Sequence, residues 1–207
     1  MSESPKQGAR ERILEAAYDL FSRRGIRDVS VDEIISRSKV AIATFYRHFS
    51  SKDQLAEAFL NRREEVWTSE LLVAEAVKRG AAPKDQLLAI FDIFDEWFES
   101  EHFEGDSFVK VLLEMGPEHP LGKASINHLN NVRAMIRDIA ERAGLTDLDD
   151  VAHSLQILMK GCIITASMGD VGAGARAKLM AERLIAEHTP ADVTAAGDAP
   201  TENALAE

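Results

Sequence analysis

Apolar residues recur along most of the chain at spacings of three and four, which is the period of an α-helix with one buried face. Ile13, Ala16 or Ala17, Leu20 and Phe21 form the first such stripe and predict a helix over residues 9–24, ended by Gly25. Two short helices are predicted next, over about 30–38 and 41–49. A long helix is predicted over 52–79, because that stretch contains neither Pro nor Gly.

The same spacing continues to about residue 188. Further helices are predicted to begin near residues 83, 105, 121, 148 and 171, separated by Gly-rich or Pro-rich breaks. No alternating strand pattern, internal repeat or Gly-rich phosphate loop is present in the sequence. We therefore predict an all-α fold of about nine helices, with a three-helix head and a larger helical body.

The predicted domain boundaries follow from the same pattern. The head occupies residues 9–55 and the body residues 56–188. Residues 1–8 and 189–207 lack apolar periodicity, and we expect them to be a disordered arm and a disordered tail. The arm could reach a DNA minor groove through Lys6 and Arg10, although a solvated tail is the simpler interpretation.

The stretch SVDEIISRSKVAIATFYRHF, residues 30–49, predicts two short helices joined by a tight turn. Ser30 and Glu33 have the spacing of a capping box, which fixes the start of the first helix. On the second helix, Phe45 and Phe49 are predicted to face the core. Its other faces then carry small, hydroxyl, phenol, cationic and imidazole side chains: Ile42, Ala43, Thr44, Tyr46, Arg47 and His48.

The second helix has a composition suited to a DNA groove. Small residues allow a helix to enter a major groove, and the polar groups are donors for phosphate oxygens. No acid, which phosphates would repel, occurs between Lys39 and Ser51. The alternative is a helical hairpin that only packs against the rest of the head.

Charge is distributed unevenly between the two ends of the chain. The protein has 207 residues and a formal net charge of −11, which argues against DNA binding by the whole surface. Residues 1–52, however, carry ten Lys/Arg and seven Asp/Glu, a net charge of +3, while the remainder carries −14. We infer that only the head approaches DNA and that the acidic body stays clear of it.

Several other classes of protein are disfavoured by the sequence. Cys162 is the only cysteine, so no intrachain disulfide can form, and a reducing cytoplasm is the expected compartment. The scattered histidines give no metal-site spacing, and no nucleophile–base pairing, cofactor loop or catalytic residue is evident. We expect no enzyme activity, no cofactor, no signal peptide and no membrane-spanning helix.

The segments LFSRRGIRDVSV (residues 20–31) and ATFYRHFSSKDQL (residues 43–55) closely resemble the N-terminal DNA-binding domain of the TetR family of bacterial transcription regulators. The resemblance covers about residues 9–60. It departs from the family pattern at the turn, where Ser38-Lys39 replaces Ala-Gly, and at Ala41, where the family commonly has Ser. A left-handed Lys39 would cost on the order of 1 kcal/mol, and the lost cap at Ala41 about as much.

The resemblance, combined with side-chain chemistry, assigns the candidate DNA contacts. Thr44, Tyr46 and His48 are predicted to bind phosphates, while Ile42 and Ala43 meet thymine methyl groups. Arg47 is predicted to read a guanine edge, with a backbone contact as the alternative. Phosphate contacts are also expected from the remaining three candidates: Ser30, Lys39 and Lys52. For Lys52 the alternative is an ordinary solvated lysine.

The resemblance also implies a homodimer and a ligand-binding body. We expect the last two helices to form a four-helix bundle with a second copy, through Val151, Leu155, Leu158, Ala173, Ala177, Ala181 and Leu184; the alternative is that they complete a monomer core. An apolar ligand pocket is expected from Phe91, Phe94, Trp97, Phe108, Met115, His128, Met135, His153, Met159 and Cys162, each of which could instead be ordinary core.

The sequence therefore predicts a repressor that binds a palindromic double-stranded operator as a dimer and is released by a small, largely apolar effector. Its expected place is the bacterial cytoplasm, at the nucleoid. The alternatives are a DNA-binding regulator without a small-molecule effector, or an activator. A helical protein with a vestigial head is a further alternative, disfavoured because the ATFYRHF segment is intact.

Overall fold

A computed structural model describes residues 8–101 and 103–191, without the side chains of residues 67 and 69–71. Over these residues the chain forms ten α-helices and one π-helical segment, and it contains no strand. The all-α prediction is confirmed. The predicted arm and tail lie almost wholly outside the described residues.

Four helices build the head: α1 (Ala9–Arg24), α2 (Val31–Ser38), α3 (Ile42–His48) and α4 (Lys52–Arg63). Their bounds agree with the predicted ones within about a residue at nearly every end. Gly25 ends α1 with φ 86°, a left-handed conformation that favours glycine.

The predicted helix over 52–79 is continuous in space but not in hydrogen-bond register. After α4 it passes through a π-helical segment (Glu64–Val73) and then α5 (Ala74–Arg79). The wider π turn changes which side chains face inward. Val66, within this segment, is 43% exposed, and Arg63, just before it, is buried.

The body is completed by five helices: α6 (Pro83–Glu99), α7 (Ser107–Met115), α8 (Pro120–Arg142), α9 (Leu148–Ser167) and α10 (Ala173–Glu187). Pro83 occupies the first turn of α6, so this helix begins where the sequence predicted. The main body core lies between α6, α8, α9 and α10 and includes Phe91, Ile136 and Leu155.

The head core extends beyond the boundary predicted at residue 55. Phe59 and Leu60 of α4 belong to it, together with Phe108 and Val111 of α7 and Leu121 of α8. The start of the body therefore packs directly on the head. Helix α7 in particular joins the head and the body, because its residues Phe108 and Val111 pack in the head core.

Candidate nucleic-acid interface and body cavity

Helix α3 is held in place by the two aromatic residues that were predicted to face inward. Phe45 is fully buried and Phe49 is 2% exposed, and both pack in the head core. The guanidinium of Arg10, on α1, lies over the Phe49 ring at 5.2 Å from its centroid, a cation–π distance. This anchoring fixes which face of α3 points away from the protein.

The outward face of α3 carries the side chains expected there. Ile42 is 57% and Tyr46 51% exposed, Ala43 and Arg47 are also exposed, and Thr44 and His48 are half-buried. An exposed Ile and Tyr on one seven-residue helix is an unusual amount of uncovered apolar surface for a solvated helix. The face is therefore available to a partner, and its role in DNA contact stays a prediction.

The turn between α2 and α3 adopts the strained form that the sequence raised as a possibility. Lys39 has φ 53° and ψ 44°, the left-handed conformation, and its side chain is exposed. Ala41 occupies the N-cap of α3 and provides no side-chain cap. The turn is supported from α1, since Arg12 Nε donates a 3.3 Å hydrogen bond to the Ser38 carbonyl.

The cap of α2 is formed in part as predicted. Ser30 Oγ accepts the Glu33 N–H at 3.2 Å. The Glu33 carboxylate, however, pairs with Arg24 instead of returning to the Ser30 N–H. This pair ties the start of α2 to the end of α1.

Lys52 does not extend outward, contrary to the expectation of a phosphate contact. Its ammonium donates to two backbone carbonyls inside the head, those of Ile26 at 2.9 Å and Val29 at 3.1 Å. Helix-start position alone could not show this, because a long lysine side chain can turn either way. In this structure Lys52 positions the loop before α2.

Glu114, which no sequence pattern singles out, holds the same loop from the body. Its carboxylate, at the end of α7, accepts hydrogen bonds from the N–H groups of Ile26, at 3.0 Å, and Arg27. A Cβ added at Gly25 would lie 3.0 Å from Glu114 Oε2, so the glycine also makes room for the carboxylate. Only the tertiary structure brings residues 88 positions apart together.

A small internal cavity lies at the opposite end of α7, and we call it the body cavity. Its volume is about 30 Å³, room for about two water molecules. The π-helical segment and helices α6 to α9 supply its lining: Thr68, Leu72, Phe94, Trp97, Asp106, Ser107, Phe108, His128, Val132, Met159, Lys160 and Ile163. Five of the ten predicted pocket residues are therefore brought together: Phe94, Trp97, Phe108, His128 and Met159.

The other five predicted pocket residues do not line the body cavity. Phe91 and Cys162 are buried in the adjacent core, where burial raises the pKa of the Cys162 thiol to about 12. Met115 packs against the head core, and Met135 against the body core away from the cavity. His153 is wrong as a pocket residue, because it is exposed and its Nδ1 lies 2.7 Å from the Asp149 carbonyl of its own helix.

The structure places the seven residues predicted for the dimer interface in or against the chain's own core. Val151, Leu155, Ala173, Ala177 and Ala181 are buried within the chain's own core, and Leu158 and Leu184 are packed against that core. The small residues of α10 let it approach α6 of the same chain: a Cβ at Gly174 would lie 2.3 Å from Asp95 Oδ1. The five buried residues fit the alternative, completion of a monomer core. Leu158 and Leu184 are half-buried, and their contact with a second copy stays a prediction.

A different set of α9 and α10 side chains is exposed. Ile157 and Ile164 lie on α9, Met168 directly follows that helix, and Leu179 and Met180 lie on α10; each is more than half exposed. We call these five residues the α9–α10 apolar face. The sequence does contain a helical spacing for this face, since Ile157 and Ile164 are seven residues apart. The stripe of buried apolar residues on the same helix is longer and therefore dominates the pattern.

No described helix is long and apolar enough to cross a membrane. Within residues 8–101 and 103–191, no cluster of three or more His, Cys, Asp or Glu side chains is arranged to hold a metal ion.

Known proteins resemble this chain in two ways, by the sequence of part of its length and by the fold of most of it. Residues 13–59 match the family described as bacterial regulatory proteins, tetR family. A transcriptional repressor of Mycobacterium tuberculosis, Rv3405c, is 49% identical over 49 residues, which are 24% of this chain and 26% of that protein. The transcriptional activator FasR of Mycolicibacterium smegmatis is 31% identical over 97 residues, 47% of this chain and 43% of that one.

The match to the first of these curated relatives thus spans about a quarter of its length. For the whole chain, the solved TetR-family regulator SCO4454 of Streptomyces coelicolor superposes with a TM-score of 0.81 at 25% identity, over 88% of this chain and 96% of that one. Residues 13–59 thus match the tetR family of bacterial regulatory proteins, and the described residues share the fold of solved TetR-family regulators.

Proposed function

We propose that this protein is a transcriptional regulator whose α3 helix reads a double-stranded DNA operator. The observation that carries the proposal is the outward face of α3, which is exposed, free of acids and rigidly anchored by Phe45 and Phe49. The family of the head supports it, since the matching relatives are named as transcriptional regulators. Its proposed place is the bacterial cytoplasm, at the nucleoid.

The proposed contacts follow from what each exposed group can offer. Arg47 is exposed and carries a guanidinium fork that matches the O6 and N7 atoms of guanine. Tyr46, Thr44 and His48 each present polar atoms suited to phosphate oxygens. Lys39 adds a cation at the turn, next to the start of α3.

We further propose that the protein binds a palindrome as a homodimer. One short helix reads only a few base pairs, so useful affinity needs two heads related by a twofold axis. The α9–α10 apolar face supports this, because large apolar side chains that are more than half exposed on a helix pair are the kind of surface that a second copy covers.

The body cavity is the proposed effector site, and repression relieved by a ligand is the proposed mode. Helix α7 supports such coupling, since Phe108 at its start lines the cavity while Glu114 at its end holds the loop before α2. A ligand that fits better when α7 moves would shift the heads toward a state that does not bind DNA. The activator name of one relative keeps activation, or the lack of an effector, as the alternative.

The test begins with selection of an operator from random DNA by the purified full chain. We expect an enriched palindrome, and a gel-shift affinity for it at least about a thousandfold above that for scrambled DNA at physiological salt. Equal affinity for both sequences, with only a steep salt dependence, would show non-specific electrostatic binding and contradict the proposal.

A further inference from the structure

The wall of the body cavity is mainly apolar and aromatic. Phe94, Trp97 and Phe108 contribute rings, and Met159 contributes a thioether. The Phe108 ring stacks on the His128 imidazole, with centroids 3.3 Å apart and planes 11° from parallel. Such a wall favours a ligand with an apolar body, and it leaves the choice of charge to the few polar groups present.

One buried carboxylate dominates those polar groups. The side chain of Asp106 is 9% exposed. Its Oδ1 accepts the N–H groups of Phe108 at 2.9 Å and Val109 at 3.1 Å, which makes it the N-cap of α7. Its Oδ2 accepts the Lys160 ammonium at 2.7 Å.

The charge balance around the cavity is negative without Lys160. Burial alone would raise the pKa of Asp106, but the charge and hydrogen bond of Lys160, helped by the Val109 N–H, hold it below its usual value. Burial lowers the pKa of His128, so the imidazole is neutral at pH 7, and the Glu64 carboxylate lies 3.4 Å from its Nδ1. Among the residues that line the cavity, Lys160 is the one permanent cation.

The two partners of this ion pair differ in how firmly they are fixed. Asp106 is held by two backbone N–H groups in the first turn of α7, so movement of its carboxylate away from them would undo the helix cap. Lys160 reaches Asp106 at the end of a flexible side chain, and it also lines the groove between α8 and α9. The exchangeable member of the pair is therefore the lysine.

We propose that the body cavity binds an organic ammonium ion, whose charge replaces that of Lys160 at Asp106 Oδ2 and whose apolar part packs on Phe94, Trp97 and Phe108. In the free protein Lys160 acts as a tethered competitor that fills the cation position. An anion would meet Asp106 and the nearby Glu64, and it would gain Lys160 only by leaving a buried carboxylate unpaired. The inference rests on the proposed effector role of the cavity.

The ligand's charge also suits the aromatic wall. A cation within about 6 Å of a Trp or Phe centroid is attracted to the ring face, and the attraction strengthens where water is excluded. The hydroxyl of Ser107 lines the cavity, is 3% exposed and has no hydrogen-bond partner, so it can accept from or donate to a polar substituent. Since the free volume is only about 30 Å³, departure of Lys160 from the wall is needed to admit the ligand.

The experiment uses the full chain with Trp67→Phe, which leaves Trp97 as the only tryptophan and reports on the cavity by fluorescence. Three matched probes are titrated: benzyltrimethylammonium, its uncharged carbon isostere neopentylbenzene, and the anion phenylacetate. We expect the cation to bind at least about tenfold more tightly than the isostere or the anion. Equal binding of the isostere, or tighter binding of the anion, overturns the proposal.

Two substitutions test the named exchange. Asp106→Asn keeps an N-cap residue but removes the charge, and it is expected to weaken the cation by about tenfold or more. Lys160→Met removes the tethered competitor and is expected to tighten the cation, whereas Lys160→Arg keeps the charge and stays near the wild type. Weaker cation binding in Lys160→Met than in Lys160→Arg overturns the exchange, and circular dichroism checks that each variant is folded.

The outcome is separable from that of the proposed function. Cation binding is measured without DNA, and operator release is measured afterwards by gel shift with the same probe. A cation that binds but leaves operator affinity unchanged contradicts ligand release while supporting the assigned ligand class. Failure of all organic cations to bind, with release by an anionic or neutral compound, overturns the ligand class while supporting the regulator.

Discussion

At the scale of single residues, the α3 helix separates side chains that hold the head from side chains that leave it. Phe45 and Phe49 are buried, while Tyr46 and Arg47, one or two positions away, are exposed. Helical periodicity is enough to predict this division, because the inward positions are fixed by the turn angle. The chemistry of the outward positions then suggests distinct roles for two neighbours.

Arg47→Ala is expected to weaken operator binding by about 1–3 kcal/mol and to relax preference at one base pair. The reason is that a guanidinium fork discriminates guanine from other bases in the major groove. Selection of operators by the variant and gel-shift titration measure both effects. An equal loss on operator and random DNA would show that Arg47 contacts only the backbone.

The matched control is Tyr46→Phe, which removes one hydroxyl from the same exposed face. A phosphate contact carries no sequence information, so this change should weaken operator and random DNA alike. Loss confined to the operator would contradict the phosphate role of Tyr46.

Glu114→Gln tests the contact between body and head. A carboxylate accepts both N–H groups, from Ile26 and Arg27, whereas an amide offers one oxygen and turns an NH₂ toward the other. We expect a loss of about 1–3 kcal/mol in unfolding free energy, faster hydrogen exchange at those two amides, and weaker operator binding. Glu118→Gln is the control, because the Glu118 side chain is 91% exposed. Unchanged exchange at Ile26 and Arg27 would contradict the role.

Lys52 and Glu114 show where residue-level prediction stops. The position of Lys52 at a helix start was predictable, but the direction of a four-carbon side chain was not, and it turned inward to Ile26 and Val29. Glu114 had no local signal, since its partners lie 87 and 88 residues earlier in the chain. Long side chains and distant partners are set by tertiary structure, which a helical pattern does not contain.

At the scale of elements, helix bounds were well predicted and helix register was not. Caps and breakers such as Ser51, Gly25 and Pro83 are local signals, and each lies at a helix end in the structure. The π-helical segment has no such signal, because no Pro or Gly marks it. Only the structure shows this segment, and it brings Thr68 and Leu72 to the body cavity.

The turn between α2 and α3 offers a prediction at this scale. Lys39→Gly should stabilise the head by about 1 kcal/mol, since the left-handed conformation at φ 53° strains any residue with a Cβ. The same change removes an exposed cation, so operator binding should weaken despite the gain. Thermal unfolding and gel shift measure the two effects separately.

Lys39→Ala is the control, because it removes the charge without relieving the backbone. Equal stability of the Gly and Ala variants would contradict the strain, and unchanged operator affinity in both would show that Lys39 does not meet phosphate.

At the scale of the whole molecule, apolar stripes were predictable but the surfaces they meet were not. The small residues of α10 were predicted to admit a second copy, yet they admit α6 of the same chain, where Ala175 N–H donates to Asp95 Oδ1 at 3.1 Å. A stripe of small residues signals close helix approach, whichever helix it meets. The exposed α9–α10 apolar face is what remains for another molecule.

The proposed dimer is tested by placing a charge on that face. Ile164 is 52% exposed, and Ile164→Asp adds two copies of the charge to a twofold interface, each without a partner. We expect the dimer dissociation constant, measured by sedimentation equilibrium, to rise at least about a hundredfold. Operator affinity should fall with it, because one head cannot span both half-sites.

Leu113→Asp is the matched control, since Leu113 on α7 is 79% exposed and lies outside the α9–α10 apolar face. It should remain a dimer with unchanged helical content, as should Ile164→Val, which preserves the apolar surface. If Ile164→Asp stays dimeric while Leu113→Asp dissociates, the second copy binds at α7 and the heads are related by a different axis. Helix α7, which joins the body cavity to the loop before α2, would then lie in the dimer interface. Effector coupling through α7 would in that case involve both chains.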